Sequence, residues 1–350
     1  MTAQTTADLL ETMPAYGSEF AKTYANHAPM VLTALDRIGG SPERLQDFFV
    51  HYRDAKALLP FPAPSGPPLD ATSWPDAIGQ RDREPELRAF FAAEVGRLGI
   101  DGAVRAHIDR LAPGVGASAF HALMRLAYGL LRRDETDVAV ALGYWAATYL
   151  PMPAPQGGPA RTADPLALLA MVAEIPALAA IPVGELLWWN MDAHAKHPEF
   201  QPVADWLAID DTTLDRMARA SLALFAATQH FAALHAVTGV HWLRIVTPYC
   251  AQPEVMLRHF WQCIATLLPE MGHPALPSDD DLTRWRALPC PGWPEIWAAA
   301  AQSYDEHDIS IAYSAHEEMQ VLGDRLYQVA AARRLGLIPD YTYLPGTGRP

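Results

Sequence analysis

Helical periodicity is the feature that most restricts the fold of this 350-residue chain. Apolar residues recur at the spacing of one helix face in most segments, and alternating runs rich in β-branched residues are nearly absent. The 31 prolines lie mainly between the periodic segments, where proline begins or ends helices. The pattern predicts an all-α fold, a multi-helical bundle of helical hairpins around a central cavity.

The periodic segments predict a series of helices separated by loops. Ser41, Pro42 and Glu43 form a helix-start signal, with a capping serine, a proline at the first helical position and an acid in the first turn. The predicted helices cover residues 16–38, 41–58, 84–98, 101–111, 117–132, 134–150, 213–238, 253–268 and, as one or two helices, 305–335. The predicted loops cover residues 60–75 and 269–294, and the proline- and glycine-rich segment 151–165 is the best linker candidate. We therefore expect one all-α domain over residues 1–350, with a sub-division at 151–165.

The composition excludes several classes of partner. The net charge of −14 argues against nucleic acid or an anionic membrane as the main partner. Three cysteines without a C-x-x-C pair do not suggest a disulfide framework, and a reducing cytoplasm fits best. The N-terminus lacks a basic region followed by an apolar run, so no signal peptide is expected. The most apolar stretch, residues 166–189, is interrupted by two glutamates and two prolines and is predicted to form core helices rather than a membrane span.

Three histidines, His230, His235 and His241, lie close together in one apolar helical run. Burying an imidazole costs free energy unless its nitrogens find partners, and histidine is the commonest metal ligand. For any one of them, a core histidine bonded to a backbone carbonyl is the simpler interpretation. His235 shares a helix face with Trp242, whereas His230 and His241 lie on other sides. We therefore predict His235 as a metal ligand, with Trp242 as a neighbour of the site.

A histidine followed by an aromatic residue on the next helix recurs four times, at spacings of 25, 24, 26 and 20 residues. Similar hairpins packed around one axis would bring four histidines to one interior. The hypothesis requires the imidazoles to lie within about 10 Å of one another, because metal–nitrogen bonds are about 2 Å long. The pairs are His27 with Tyr52, His121 with Trp145, His235 with Trp261, and His307 with Tyr327.

Two further side chains share the helix face of His121. Arg125 and Tyr128 follow it at four and seven residues, so the three lie on one stripe of an apolar helix. A guanidinium and a phenol in this position can orient a polar substrate, and we predict Arg125 and Tyr128 as catalytic residues. The alternative is a buried hydrogen-bond network with a carboxylate from another helix.

No common nucleotide or hydrolase motif indicates a different chemistry. Walker A, G-x-S-x-G and H-E-x-x-H patterns do not occur in the sequence. Residues 114–119 match G-x-G-x-x-A, but a proline precedes them and no predicted strand does. A self-contained NADPH site is therefore not indicated, and neither haem nor flavin is implied.

Four stretches in order resemble the questin oxidase-like family. They are NHAPMVLTALDRIG, FHALMRLAYGL with the following ALGYWAATYL, LHAVTGVHWLR, and YDEHDISIAYSAHEE. The family contains fungal enzymes that oxidatively open the quinone ring of anthraquinones in polyketide pathways, and bacterial members of unknown role. Its members are described as Baeyer–Villiger-type oxidases or as non-haem iron dioxygenases. In the iron description, four histidines and a carboxylated lysine hold the metal inside a helical fold.

The resemblance implies that His27, His121, His235 and His307 are the four metal ligands. The family's lysine falls at Ser310, which is a departure, because a serine hydroxyl is a poor substitute for an anionic carbamate oxygen.

Three acidic residues are predicted as replacements for that oxygen. Glu306, Asp305 or Glu317 supplies the carboxylate, or water fills the position, or the site is no longer an iron oxygenase.

The leading prediction is a metal-dependent oxygenase, an oxidoreductase with Fe(II), that acts with O₂ on an aromatic phenol- or quinone-type polyketide substrate. Arg125 and Tyr128 position an acidic phenol, and aromatic side chains cover its ring. Imidazole also suits copper, nickel or zinc, so iron follows from the resemblance. The alternatives are a Baeyer–Villiger-type oxidase using NADPH without bound metal, a zinc hydrolase, and a catalytically degenerate helical ligand-binding protein, which Ser310 favours.

Overall fold

Seventeen α-helices and one two-stranded sheet form the regular structure of residues 6–339, the part of the chain that the computed structural model describes. The all-α prediction is confirmed. The helices are α1 (Thr6–Glu11), α2 (Ala28–Arg37), α3 (Pro42–Lys56), α4 (Glu84–Leu111), α5 (His121–Arg132), α6 (Glu135–Ala147), α7 (Pro165–Ala173), α8 (Pro176–Ala179), α9 (Leu187–Ala195), α10 (Val203–Trp206), α11 (Thr213–Thr228), α12 (Phe231–Val246), α13 (Pro253–Thr266), α14 (Asp279–Arg286), α15 (Trp293–Gln302), α16 (Glu306–Leu322) and α17 (Leu326–Arg334). The strands are β1 (Glu19–Phe20) and β2 (Tyr24–Ala25). Within the described residues, no helix combines the length and the apolar character that crossing a membrane requires.

Side-chain caps and prolines set where many helices begin. The Ser41 hydroxyl accepts a hydrogen bond from the Arg44 N–H at 3.3 Å, and α3 starts at Pro42, as predicted. Asp134 accepts likewise from the Asp137 N–H at 2.8 Å and starts α6. Each cap gives a partner to an N–H group that the first helical turn leaves unpaired.

The prediction of one helix over residues 16–38 is wrong for its first half. β1 and β2 form an antiparallel hairpin there, with Glu19 paired to Ala25. The helix begins only at Ala28, where the Asn26 side chain accepts a hydrogen bond from the Ala28 N–H at 3.1 Å. Side-chain bonds of this kind compete with the helical hydrogen bonds that periodicity alone predicts.

The predicted helix over residues 213–238 is divided in two. α11 ends before Gln229, which adopts a left-handed conformation with φ of 50°. The His230 N–H then donates to Thr228 Oγ1 at 3.1 Å, and His230 Nδ1 accepts from the Ala232 N–H at 3.1 Å. These two local bonds start α12 afresh.

Three smaller differences concern helix bounds. The predicted helix at 117–132 begins at His121, because the residues before it form a left-handed turn. The predicted loop at 269–294 contains α14, which Ser278 starts through a capping box. The predicted break between helices at 98–101 is a single non-helical residue, Gly99, with φ of 68° inside α4.

The chain forms two compact units. The first unit comprises Met1–Asp36, Gly40–Met152 and Trp242–Phe260. Within it, α6 packs against both α4 and α5. A Cβ at Gly143 of α6 would lie 2.9 Å from the backbone nitrogen of Arg88, so only glycine permits this approach to α4.

The second unit comprises Arg37–Gly39, Pro153–His241 and Trp261–Pro350. Within it, α16 packs against α15 and α17, and α11 packs against α7 and α17. The chain leaves the first unit after Met152 and enters the second at Pro153, inside the predicted linker at 151–165. The predicted single domain and its central cavity stay predictions.

Candidate metal centre

His27 and His121 are brought together in the first unit, 94 residues apart in sequence. Their Nε2 atoms are 2.7 Å apart, and the ring planes are nearly perpendicular at 82°. Both residues are buried, with 8% and 7% of their surface exposed. Two nitrogens bonded to one metal at about 2.1 Å lie about 3 Å apart. The pair is therefore close enough for both nitrogens to bind one ion, and the same distance fits an N–H···N hydrogen bond when one Nε2 carries a proton.

The same two imidazoles are oriented through Nδ1. His27 Nδ1 lies 2.9 Å from the Ala25 carbonyl oxygen, and His121 Nδ1 lies 2.5 Å from that of Ser118. A carbonyl only accepts hydrogen bonds, so each Nδ1 carries the proton and each Nε2 carries the lone pair of the neutral ring. Two lone-pair nitrogens at 2.7 Å repel each other unless a proton or a metal ion bridges them. This donor set fits a metal ion.

His235 and His307 form a second pair, within the second unit. Their ring centroids are 5.6 Å apart, and the Phe231 ring packs edge-on against both, at 4.6 and 4.7 Å. His235 Nδ1 lies 2.9 Å from the Phe231 carbonyl oxygen, and His307 Nδ1 lies 3.0 Å from Asp305 Oδ1. Here too Nδ1 faces an oxygen acceptor, so Nε2 carries the lone pair.

The start of α16 gathers three residue types that bind metals. Asp305, Glu306 and His307 bring one ligand atom each within 4.8 Å of one another. Asp305 caps the helix by accepting from the His307 N–H at 2.9 Å, and Arg334 donates to its other oxygen at 2.7 Å. Burial raises the pKa of Asp305, but the hydrogen bonds from His307 and the charge of Arg334 outweigh it and hold that pKa well below its usual range. Asp305 is therefore an anion that orients His307.

Ser310, the position of the family's lysine in the resemblance, is a buried residue of α16 with 4% exposure. Glu306 precedes it by four residues, so the two lie on one helix face, and Glu306 is also buried. Glu317 accepts instead from His316 Nδ1 at 3.0 Å. Among the three predicted replacements for the carbamate oxygen, Glu306 is the buried carboxylate that shares the face of Ser310.

Arg125 lies in a buried ion-pair network, with 1% of its surface exposed. Its Nε donates to Asp137 Oδ1 at 2.9 Å, and Arg132 donates to the other oxygen of the same carboxylate. Burial raises the pKa of Asp137, but the charges of Arg125 and Arg132 outweigh it and lower that pKa. This arrangement is the carboxylate network that the sequence left open as the alternative. Tyr128 is fully buried on the same helix, and the catalytic roles of Arg125 and Tyr128 stay predictions.

The remaining candidates of the histidine-rich run take separate positions. Trp242 is buried, and its indole N–H has no acceptor among the residues that the structure describes. His241 Nδ1 lies 3.6 Å from Glu318 Oε1, and the ring stands edge-on to Tyr313. His230 is half-buried and caps α12 through Nδ1. His230 Nδ1 therefore already accepts a hydrogen bond from the main chain at the start of α12.

Sequence reasoning missed a polar cluster next to His121. The Tyr144 hydroxyl donates to Ser118 Oγ at 2.6 Å, and Ser118 Oγ donates to Glu19 Oε1 at 2.8 Å. Burial raises the pKa of Glu19, although Arg81 and Ser118 oppose it, and burial raises the pKa of Tyr144 well above its usual value. The small residues before His121 signal a turn, but Glu19 lies 99 positions before Ser118 and carries no local signal.

The family model for questin oxidase-like proteins matches residues 24–315 of the chain. The chain belongs to the questin oxidase-like family. The matched residues include all four predicted ligands. Membership of the questin oxidase-like family indicates an oxidoreductase of the oxygenase type. A search of curated proteins found no match.

Proposed function

We propose that this member of the questin oxidase-like family is a metal-dependent oxygenase with non-haem ferrous iron. Its substrate class is an aromatic phenol- or quinone-type polyketide, and O₂ is the co-substrate. One observation carries the proposal: in all four predicted ligands Nδ1 faces an oxygen acceptor, so each Nε2 carries the lone pair. Metal-binding histidines usually donate their other N–H to a carbonyl or carboxylate in this way. The proposed ligands are His27, His121, His235 and His307.

The acidic side chains at the start of α16 adjust the charge of the proposed centre. Ferrous iron, when bound, supplies the one-electron chemistry through which O₂ reacts with a closed-shell aromatic compound. Anionic Asp305 accepts from His307 Nδ1, which raises the basicity of the opposite nitrogen. Buried Glu306 is the proposed source of the negative charge that compensates a buried cation.

Of the first pair of imidazoles, His27 directly precedes α2 and His121 begins α5, which also carries Arg125 and Tyr128. The ion pair of Arg125 with Asp137 fixes α5 against α6, which supports a role for Arg125 in holding His121 in place. We assign the contact with a substrate phenol to Tyr128, whose hydroxyl both donates and accepts. Two alternatives need no bound metal: NADPH-dependent oxidation and simple ligand binding. The four Nε2 lone pairs favour the metal-dependent function over both.

Metal removal is expected to abolish turnover. Protein purified without oxygen and without chelators should contain stoichiometric iron, and a chelator should remove both the iron and the O₂ consumption measured with a hydroxylated anthraquinone as probe. Ferrous iron should restore O₂ consumption, whereas Zn²⁺ should not, because zinc has no redox chemistry. Elemental analysis and an oxygen electrode give the two measurements. Undiminished O₂ consumption by metal-free protein contradicts the proposal.

Ser310→Lys is expected to strengthen ferrous iron binding by roughly tenfold when bicarbonate is present, since a buried lysine of lowered pKa can form the anionic carbamate that serine lacks. The dissociation constant is measured without oxygen, with and without bicarbonate. Ser310→Met is the matched control, because it has similar length and no amine. An equal affinity of the two variants in bicarbonate shows that position 310 does not face the metal.

A further inference from the structure

Three successive non-glycine residues adopt a left-handed conformation immediately before His121. The φ angles of Ser118, Ala119 and Phe120 are 46°, 54° and 71°. This region is unfavourable for residues with a Cβ, and such a run persists only where surrounding contacts hold it. Some group outside the turn must therefore fix it in place.

The carboxylate of Glu19 is a group outside the turn that binds it. Its Oε1 accepts from Ser118 Oγ at 2.8 Å, and Tyr144 donates to the same Ser118 oxygen at 2.6 Å. Arg81 binds both carboxylate oxygens of Glu19, at 2.5 Å. The backbone carbonyl of Ser118, thus held, is the acceptor for His121 Nδ1.

Glu19 also lies opposite the residue that orients the other imidazole of the pair. Glu19 in β1 is the direct antiparallel partner of Ala25 in β2. The Ala25 carbonyl oxygen is the acceptor for His27 Nδ1 at 2.9 Å. Glu19 therefore binds the residue that orients His121 through its side chain, and its position in β1 is paired with the residue that orients His27.

We propose that Glu19 is the positioning residue for the His27–His121 pair, holding the His121 Nε2 atom close enough to that of His27 for the two to share one metal ion. The inference rests on the proposed function in taking these two histidines as ligands. It assigns Glu19 no contact with substrate or metal. Arg81, Ser118 and Tyr144 act with it by fixing the carboxylate and the left-handed turn.

Glu19→Ala is the main test, with Glu94→Ala as its matched control. Glu94 also lies in the first unit and binds an arginine, Arg97, at 2.8 Å and an imidazole, His107, at 2.9 Å, but none of these is a predicted ligand. The dissociation constant for Zn²⁺ is measured by calorimetry, with the metal alone as probe. We expect Glu19→Ala to weaken Zn²⁺ binding by about 10–100-fold, the usual effect of losing a residue that orients a ligand, and the control to leave it nearly unchanged.

Crystal structures of the metal-free proteins give a readout that is independent of metal binding. In Glu19→Ala we expect His121 to move away from His27, and His121 to shift more than His27, because the strand pairing itself stays. Ser118→Ala removes one hydroxyl and is expected to move His121 alone. This second variant decides the question if Glu19→Ala does not fold.

The outcomes separate the two claims. Wild-type protein that binds no metal refutes the proposed function, and the positioning role is then judged by the Nε2 separation alone. Glu19→Ala and Ser118→Ala with Zn²⁺ affinity equal to the control and an unchanged 2.7 Å separation overturn the inference. Weaker Zn²⁺ binding together with a displaced His121 supports it.

Discussion

His121→Ala is expected to lower metal affinity by more than about 100-fold and to remove O₂ consumption. The loss of a residue that merely orients a metal ligand costs about 10–100-fold, so the loss of a ligand itself costs more. His121 Nε2 lies 2.7 Å from His27 Nε2, and alanine at position 121 has no side-chain nitrogen to bind a metal. Iron content after gel filtration and the dissociation constant for Zn²⁺ measure the effect.

His194→Ala is the matched control for this prediction. His194 is buried, and its Nδ1 donates to the Asn190 carbonyl oxygen at 2.6 Å, so it has the same type of orienting bond as His121. It is not a predicted ligand, and its removal should leave metal content unchanged. Equal metal loss in the two variants means that the effect comes from general destabilisation. Full metal content in His121→Ala refutes the role of His121.

Asp137→Asn is expected to lower the free energy of unfolding by about 3–5 kcal/mol, the typical cost of removing one partner from a buried ion pair. Asparagine preserves the shape of the side chain but leaves the guanidinium group of Arg125 without its anion and removes one of the two carboxylates that pair with Arg132. Urea unfolding measures the change. Asp54→Asn is the control, because Asp54 pairs with Arg53 in an exposed position and such pairs contribute little. A change no larger than that of the control contradicts the prediction.

The same carboxylate predicts a dependence of stability on pH. The folded-state pKa of Asp137 is lowered, so its contribution is complete above the unfolded-state pKa of about 3.9 and is lost as the pH falls through the lower folded-state pKa. Wild-type protein should therefore lose more stability than Asp137→Asn on acidification below about pH 4. Parallel acid-unfolding curves for the two proteins are the contrary result.

Local signals in the sequence were sufficient to predict many helix starts, and the choice of the four histidines as ligands stays a prediction. The cap at Ser41 and the proline after it placed α3 correctly. The recurrence of histidines selected residues that the structure brings together two by two, His27 with His121 and His235 with His307. Periodicity works here because each histidine lies in or directly before a helix whose apolar face is buried.

The structural features that the sequence did not predict involve contacts between residues far apart in the chain. In the hairpin of β1 and β2, which replaces a predicted helix, Glu19 binds Arg81 and Ser118, 62 and 99 residues later. Local helix and strand propensities carry no information about contacts over such sequence separations. For Arg125 the helix face was predicted correctly, but periodicity does not identify the partner on another helix, which is Asp137.

Three of the four predicted ligands take their orientation from the main chain. The acceptors for His27, His121 and His235 are carbonyl oxygens of residues 25, 118 and 231, and a carbonyl is present whatever side chain those positions carry. Only His307 depends on a side chain, that of Asp305. At position 118 the side chain still matters, because the proposed hold on the turn that presents the carbonyl runs through Ser118 Oγ and Glu19. Among the four orienting acceptors, the Asp305 carboxylate is the one that a side-chain substitution can remove, and such a substitution is expected to lower the basicity of the proposed ligand His307.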